Sequence, residues 1–184
     1  MKNSSKALRL LDLCEQAREQ KRKVIVFSFF RSTIQKVIEL LGERCMEPIT
    51  GEISPQRRQE IVDAFAKADD GAVLVSQVQA GGTGLNIQSA SVIIFCEPQI
   101  KPSIENQAIA RAYRMGQVRD VLVYRLLADD TIDERILELL KSKQQQFDSF
   151  ADESVVGEES LKPSETAWLG KLIEEEKRRF AENS

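Results

Sequence analysis

The sequence predicts an α/β protein built on a doubly wound, mostly parallel sheet with helices on both faces. Three observations carry that expectation. Unbroken apolar runs recur at Val24-Ile25-Val26-Phe27, Ala72-Val73-Leu74-Val75 and Val92-Ile93-Ile94-Phe95, and strands read this way when helices cover both faces of a parallel sheet. Segments with helical spacing alternate with these runs, which is the βαβ pattern. Between the second and third runs lies the glycine-rich Ala80-Gly81-Gly82-Thr83-Gly84. In such sheets ligands are sought in the loops at the carboxyl ends of the strands.

Each element has a local reason. Ser4 or Ser5 caps a first helix with Ala7, Leu8, Leu11, Leu13 and Cys14 as its apolar face, before a polar stretch from Glu15 to Lys23. After the first strand, Ser32 or Thr33 opens a helix carrying Ile34, Val37, Ile38 and Leu41, with Gly42 near its end. Met46 to Ile49 is a weaker strand, interrupted by Pro48. Ser54-Pro55 reads as an N-cap followed by proline at the first helical position, opening a helix with Ile61, Val62 and Phe65 inward. A helix from about Ser103 to Tyr113, a strand from Val121 to Leu126 and a helix from Thr131 to about Phe147 complete the pattern.

The composition changes near Asp148. Residues 148–184 carry ten acidic and five basic residues, a balance of −5 that leaves +2 on residues 1–147. The division expected is a main domain over 1–147, an acidic linker over 148–163 and a C-terminal helix over 164–184. Trp168, Leu169, Leu172 and Ile173 sit at helical spacing in that last segment. They suit docking on the chain's own domain, with a partner's surface as the alternative.

Composition also excludes chemistry. The chain of 184 residues has 42% hydrophobic and 30% charged residues, enough for a folded core. No apolar run approaches the ~18 residues of a membrane-spanning helix, and a cytoplasmic location is expected. Cys14, Cys45 and Cys96 are odd in number and far apart, which argues against a disulfide framework or a CxxC zinc site. There is no histidine. That removes Ser-His-Asp and Cys-His nucleophile systems and the imidazole base, so any catalysis must use Arg, Lys, carboxylates, hydroxyls or backbone amides.

Two constellations remain. Glycine allows positive φ and close backbone approach, so Gly81-Gly82-Thr83-Gly84 fits either an anion cradle or a tight turn beside the sheet. It is not a Walker A loop, because no Gly-Lys-Ser/Thr follows, and Ile87 stands where a dinucleotide fingerprint needs its third glycine. In Gln107-Ala108-Ile109-Ala110-Arg111-Ala112-Tyr113-Arg114-Met115-Gly116-Gln117, Arg111 and Arg114 are three apart and share a helix face. Paired guanidinium forks suit phosphate oxygens, although two arginines alone also fit a solvated basic face.

The order and spacing of the whole set resolve both ambiguities. From Val24 through Gln117 the chain strongly resembles the second RecA-like lobe of Swi/Snf-type ATPases, DNA translocases of helicase superfamily two. The matching stretches are Lys23 to Phe30, Gly51 to Phe65, Val73 to Asn86 and Glu105 to Gln117. The resemblance implies a RecA-like fold in which Arg111 and Arg114 reach ATP bound on a first lobe and Gln107 opens their motif. It implies that Gly82, Thr83, Gly84 and Asn86 form a loop coupling the ATP site to the DNA track, with Ser76 on the strand before it. Ser28 and Arg58 match positions near the DNA backbone in relatives, and Thr131-Ile132-Asp133-Glu134 resembles the start of a brace helix. ATP and Mg²⁺ are the implied cofactors, held mainly by the first lobe, and double-stranded DNA the implied partner of an otherwise monomeric lobe.

This chain departs from the family's Asp-Pro-Trp-Trp-Asn-Pro stretch with Glu97-Pro98-Gln99-Ile100-Lys101-Pro102, and Tyr113 stands for the usual histidine between the arginines. These changes point to a bacterial-type branch, for which a nucleoid association is expected. There is no Walker A loop and no strand that ends in an Asp-Glu pair to hold Mg²⁺, so the resemblance implies one of two lobes. The alternative is a non-catalytic nucleic-acid-binding or regulatory lobe that acts with an ATPase in trans. Net charge −3 argues against strong unaided DNA binding. A dinucleotide-dependent enzyme shares the αβ alternation but lacks its fingerprint at the first strand.

Overall fold

The computed structural model describes residues 4–80, 87–98, 102–112 and 120–128, together with 133, 134 and 137. The chain divides into two compact units, Met1–Leu127 and Ala128–Ser184. The first unit contains α1 (Ser5–Glu19), β1 (Lys23–Ser28), α2 (Arg31–Leu41), α3 (Pro55–Lys67), β2 (Val73–Gln77), β3 (Ala90–Phe95), α4 (Pro102–Ala112) and β4 (Leu122–Arg125). The strands form one sheet in the order β2-β1-β3-β4, and every pairing is parallel.

Alternation along each strand sorts side chains into two cores. Val24, Val26, Val73, Val75, Val92 and Ile94 pack with Leu10, Leu13, Cys14 and Ala17 of α1 and Ile34, Val37 and Leu41 of α2. Their neighbours Ile25, Phe27, Leu74, Ile93 and Phe95 pack with Ile61, Val62 and Phe65 of α3 and Ala108 and Ala112 of α4. Successive strand residues point to opposite faces, so burying both parities demands a helical layer on each side. The three-layer RecA-like fold follows from that demand. Phe27 and Phe95, side by side on β1 and β3, stack with centroids 5.4 Å apart and fill the second core.

Several local expectations hold and some need correction. Ser4 caps α1 by accepting from the Ala7 amide at 3.2 Å, and Ser54 caps α3 by accepting from Arg57 at 3.3 Å with Pro55 behind it. The buried face of α1 is Ala7, Leu10, Leu13, Cys14 and Ala17. Leu8 is 55% exposed, and Leu11 is only partly buried. Neither Ser32 nor Thr33 caps α2: its N-cap is Phe30, with no side-chain bond. Met46 to Ile49 is not a strand. The edge beside β2 has two isolated bridges, Cys45 with Val73 and Ile49 with Ser76, because Pro48 has no N–H to extend the ladder.

Lys23, at the start of the central strand β1, ties the sheet to the end of α3. Its ammonium donates to Phe65 O at 3.1 Å and Ala66 O at 2.8 Å, carbonyls in the last turn of α3, of which Phe65 O also accepts from the Ala68 amide at 3.3 Å. In the second unit, the Asp133 carboxylate accepts from the Ala128 amide at 3.0 Å. The expected boundary at 147, the linker over 148–163, the helix over 164–184 and nearly all of the Thr131 to Phe147 helix lie outside the described residues.

Candidate functional site at the carboxyl edge of the sheet

Strand order places a topological switch at β1. The chain runs from β1 through α2, the edge bridges and α3 to β2 on one side, then crosses to β3 on the other. A crevice outside the carboxyl ends of the strands belongs at such a point. The residues converging there are Ser28 at the end of β1, Gln77 at the end of β2, and Glu97 two residues beyond β3.

Glu97 ties β3 to β1. Its side chain is buried, one carboxyl oxygen accepts from the Phe29 amide, and the other lies 3.1 Å from Ser28 Oγ. Ser28 Oγ also lies 3.2 Å from Phe30 O and accepts from the Phe30 amide at 3.1 Å. With a single proton, the hydroxyl donates either to Glu97 or to Phe30 O. The rings of Phe29 and Phe30 meet edge to face at 5.4 Å, so the chain leaving β1 is held by its backbone and by its aromatic pair.

Gln77 and Arg58 tie β2 to the segment before α3. Gln77 Oε1 accepts from the Gly51 amide at 3.1 Å, while Nε2 donates to Phe29 O at 3.4 Å. Arg58 projects from the first turns of α3 and donates from Nη2 to Gly51 O at 3.1 Å and from Nη1 to Ala80 O at 3.2 Å. Ala80 directly precedes the glycine-rich segment in sequence.

The residues singled out from sequence fare differently. Ser28 and Ser76 are completely buried, Ser76 with its hydroxyl 3.3 Å from Gln77 O. Both hydroxyls are therefore turned to neighbouring groups within the lobe. Arg58 is half-buried and faces carbonyls. Gln107 is exposed on α4, and Arg111 lies one turn later in the same helix. Gly82, Thr83, Gly84, Asn86 and Arg114 lie outside the described residues. Two tie residues, Gln77 and Glu97, were not among the candidates; the available signal was a polar residue closing an apolar strand run.

α4 is seated by Ala108 and Ala112 in the core and by an ion pair between Glu105 and Arg125 of β4. Glu105 is almost buried there, its side chain 11% exposed. Elsewhere burial pushes the thiols up: Cys14 to about 12, Cys45 to about 11, and Cys96 further, with the nearby Glu97 adding to the rise. Among the described residues no group of acids and cysteines could hold a metal ion, and no helix is long and apolar enough to cross a membrane.

Residues 5–116 match the family model described as the helicase conserved C-terminal domain. An uncharacterized ATP-dependent helicase of Mycoplasma pneumoniae is 34% identical over 163 residues, covering 88% of this chain and 16% of that protein. The mouse SWI/SNF-related matrix-associated actin-dependent regulator of chromatin subfamily A member 1 is 32% identical over 148 residues, covering 77% and 14%. The crystal structure of the C-terminal part of the Fun30 ATPase domain matches with a TM-score of 0.69 at 27% identity, over 76% of this chain and 46% of that one. The chain thus spans 14–16% of the length of these two curated relatives.

Proposed function

The chain belongs to the helicase conserved C-terminal domain family, as a second RecA-like lobe of Swi/Snf type, and on that premise we propose that it serves an ATP-dependent translocase of double-stranded DNA. In this reading it contributes Arg111 and Arg114 to ATP held on a first lobe, with Gln107 beside the nucleotide. Gly82, Thr83, Gly84 and Asn86 form the loop that couples DNA to ATP turnover. Mg²⁺ would be held by the first lobe, where it would supply positive charge to the nucleotide. The observation that carries the reading is the family match across both motif regions, 5–116. Its geometric support is that Ala80, which leads into the glycine-rich segment, leaves the carboxyl end of β2 and is held there by Arg58.

The chemistry asked of the arginines is electrostatic. A planar guanidinium beside the equatorial oxygens of the transferring phosphoryl group stabilises charge that spreads onto them, a contribution on the order of 10³–10⁵ in rate for arginine fingers. ATP contacts to both lobes favour the closed arrangement, and its hydrolysis releases it, which supplies the cycle that movement along DNA needs. This chain alone is expected to have no ATPase activity. The test joins it to a first lobe and measures ATPase with and without duplex DNA, for the parent, Arg111→Ala and Arg114→Ala. Each substitution is expected to abolish turnover, and Arg→Lys to restore little because the fork is lost. Near-parental turnover in both alanine variants, with DNA binding unchanged, would reduce the two residues to surface arginines.

A further inference from the structure

We infer that Arg58, acting with Gln77, is a positioning residue that fixes the chain where it enters the glycine-rich loop, and that it does not serve as a ligand for DNA phosphate. The inference rests on the reading that this loop couples DNA to ATP turnover, and it replaces the expectation that Arg58 faces the DNA backbone.

The geometry closes a ring. Gly51 is held on both sides, its N–H by Gln77 Oε1 at 3.1 Å and its C=O by Arg58 Nη2 at 3.1 Å. The second terminal nitrogen of Arg58 holds Ala80 O at 3.2 Å, and Ala80 lies three residues beyond Gln77 on the same strand exit. The path from Gly51 through Arg58, Ala80 and Gln77 therefore returns to Gly51. Residues 77–80 are tied at two points to one glycine, and Gln77 Nε2 adds a contact to Phe29 O at the exit of β1.

The base of the guanidinium is fixed as well. α3 is capped by Ser54 and anchored by Ile61, Val62 and Phe65 in the core, so Arg58 projects from an element that cannot drift without disrupting buried apolar contacts. A planar group with five N–H donors in fixed directions can grip two carbonyls on different segments at once. A lysine ammonium on a flexible stem is a point donor and does not hold that two-point geometry. A phosphate ligand would show the opposite preference: charge near the backbone is what counts, and lysine is a serviceable replacement.

The first test uses the 184-residue chain and amide hydrogen exchange. Arg58→Lys and Gln77→Ala are each expected to speed exchange over residues 77–80 and 51–53 by about tenfold or more, since local opening sets the rate there, while β1 and β3 keep parental protection. Parental exchange over 77–80 in both variants overturns the inference. If Arg58→Ala fails to fold, these two milder changes still decide. The second test uses the chain joined to a first lobe. Arg58→Ala is expected to lower the ratio of DNA-stimulated to basal ATPase, to leave the salt slope of DNA binding unchanged, and not to be rescued by lysine. A slope smaller by about one, restored by Arg58→Lys, would identify a phosphate contact instead. If the parental two-lobe protein shows no DNA stimulation, the translocase reading fails, and the exchange result still judges the clamp.

Discussion

Replacing Gly71 by alanine tests how tightly the turn between α3 and β2 is pressed against α1. Gly71 has φ +85°, and a Cβ built on it would lie 2.6 Å from Arg18 Cγ, 3.1 Å from Arg18 Cβ and 3.2 Å from Arg18 Cα. The Cγ can swing aside, but the Cβ and Cα move only with the last turn of α1, whose Cys14 and Ala17 are buried. The left-handed backbone costs an L-residue about 1–2 kcal/mol, and forcing an added methyl into a packed site costs a further ~1–3 kcal/mol. Gly42 shows a backbone cost without the steric one, since it has φ +58° with ψ −133°, outside the αL well, and nothing within 4 Å of a built Cβ. Gly42→Ala should therefore show only the backbone cost. With roughly 2–4 °C of melting temperature per kcal/mol for a chain of this size, the summed cost of about 2–5 kcal/mol puts the Gly71→Ala loss at about 4–20 °C, and a backbone cost of about 1–3 kcal/mol puts Gly42→Ala at about 2–12 °C. Calorimetry or thermal circular dichroism reads both. A Gly71→Ala loss below about 4 °C would show that the approach to Arg18 carries no penalty.

Ser28→Ala should cost about 1–3 kcal/mol in urea unfolding, because it removes the acceptor of the Phe30 amide and a partner of Glu97; losses from Ser28→Ala and Glu97→Ala that simply add in the double variant would show that the two side chains do not act as a pair. Burial raises Cys14 to about 12 and Cys45 to about 11, so their contribution to stability is intact below the unfolded thiol value near 9 and is lost as pH climbs through 9 toward 11–12. Unfolding titrations between pH 8 and 11 should show this decline, and alkylation at pH 8 should modify Cys45 before buried Cys14 and Cys96; constant stability over that range would contradict the burial argument. Binding of duplex DNA by the chain alone should be weak and steeply salt-dependent, and tight binding that ignores salt would point to base reading.

Most of the sheet was legible because both parities of each strand are apolar, a pattern that only two covering layers satisfy. Ser54-Pro55 was legible because a cap and a proline at the first helical position act within one turn of chain. The face of α1 was misread for a physical reason: Leu8 and Leu11 also sit three apart, so spacing alone does not choose between stripes. Ala17, flanked by Glu15, Gln16, Arg18 and Glu19, lay hidden in a polar stretch that continues the helix. Gln77 and Glu97 escaped notice because their partners, Gly51 and Phe29, are 26 and 68 residues away. Hydrogen bonds at such separations leave no periodic trace: the β1–β3 pairing brings Glu97 to Phe29, and the Ile49–Ser76 bridge beside β2 brings Gly51 to Gln77.

The use of those side chains bears on what this edge of the sheet can do. Ser28, Gln77, Arg58 and Glu97 all bind backbone groups, at Phe29, Phe30, Gly51 and Ala80. Side chains spent in this way hold segments in register, and on the proposed function ligand contact would fall to the stretch entered through Ala80, which they hold, and to α4, which Ala108, Ala112 and the Glu105–Arg125 pair seat separately. A holder and a contact residue differ in what their loss changes. Removing a contact lowers affinity for its own ligand. Removing a holder disturbs two segments together, so it should alter the response of ATP turnover to DNA more than affinity for either ligand. On the proposed function, buried Ser28 and Glu97 and half-buried Arg58 and Gln77 would act in coupling, and exposed Gln107 in binding, a division that residue type alone would have drawn differently.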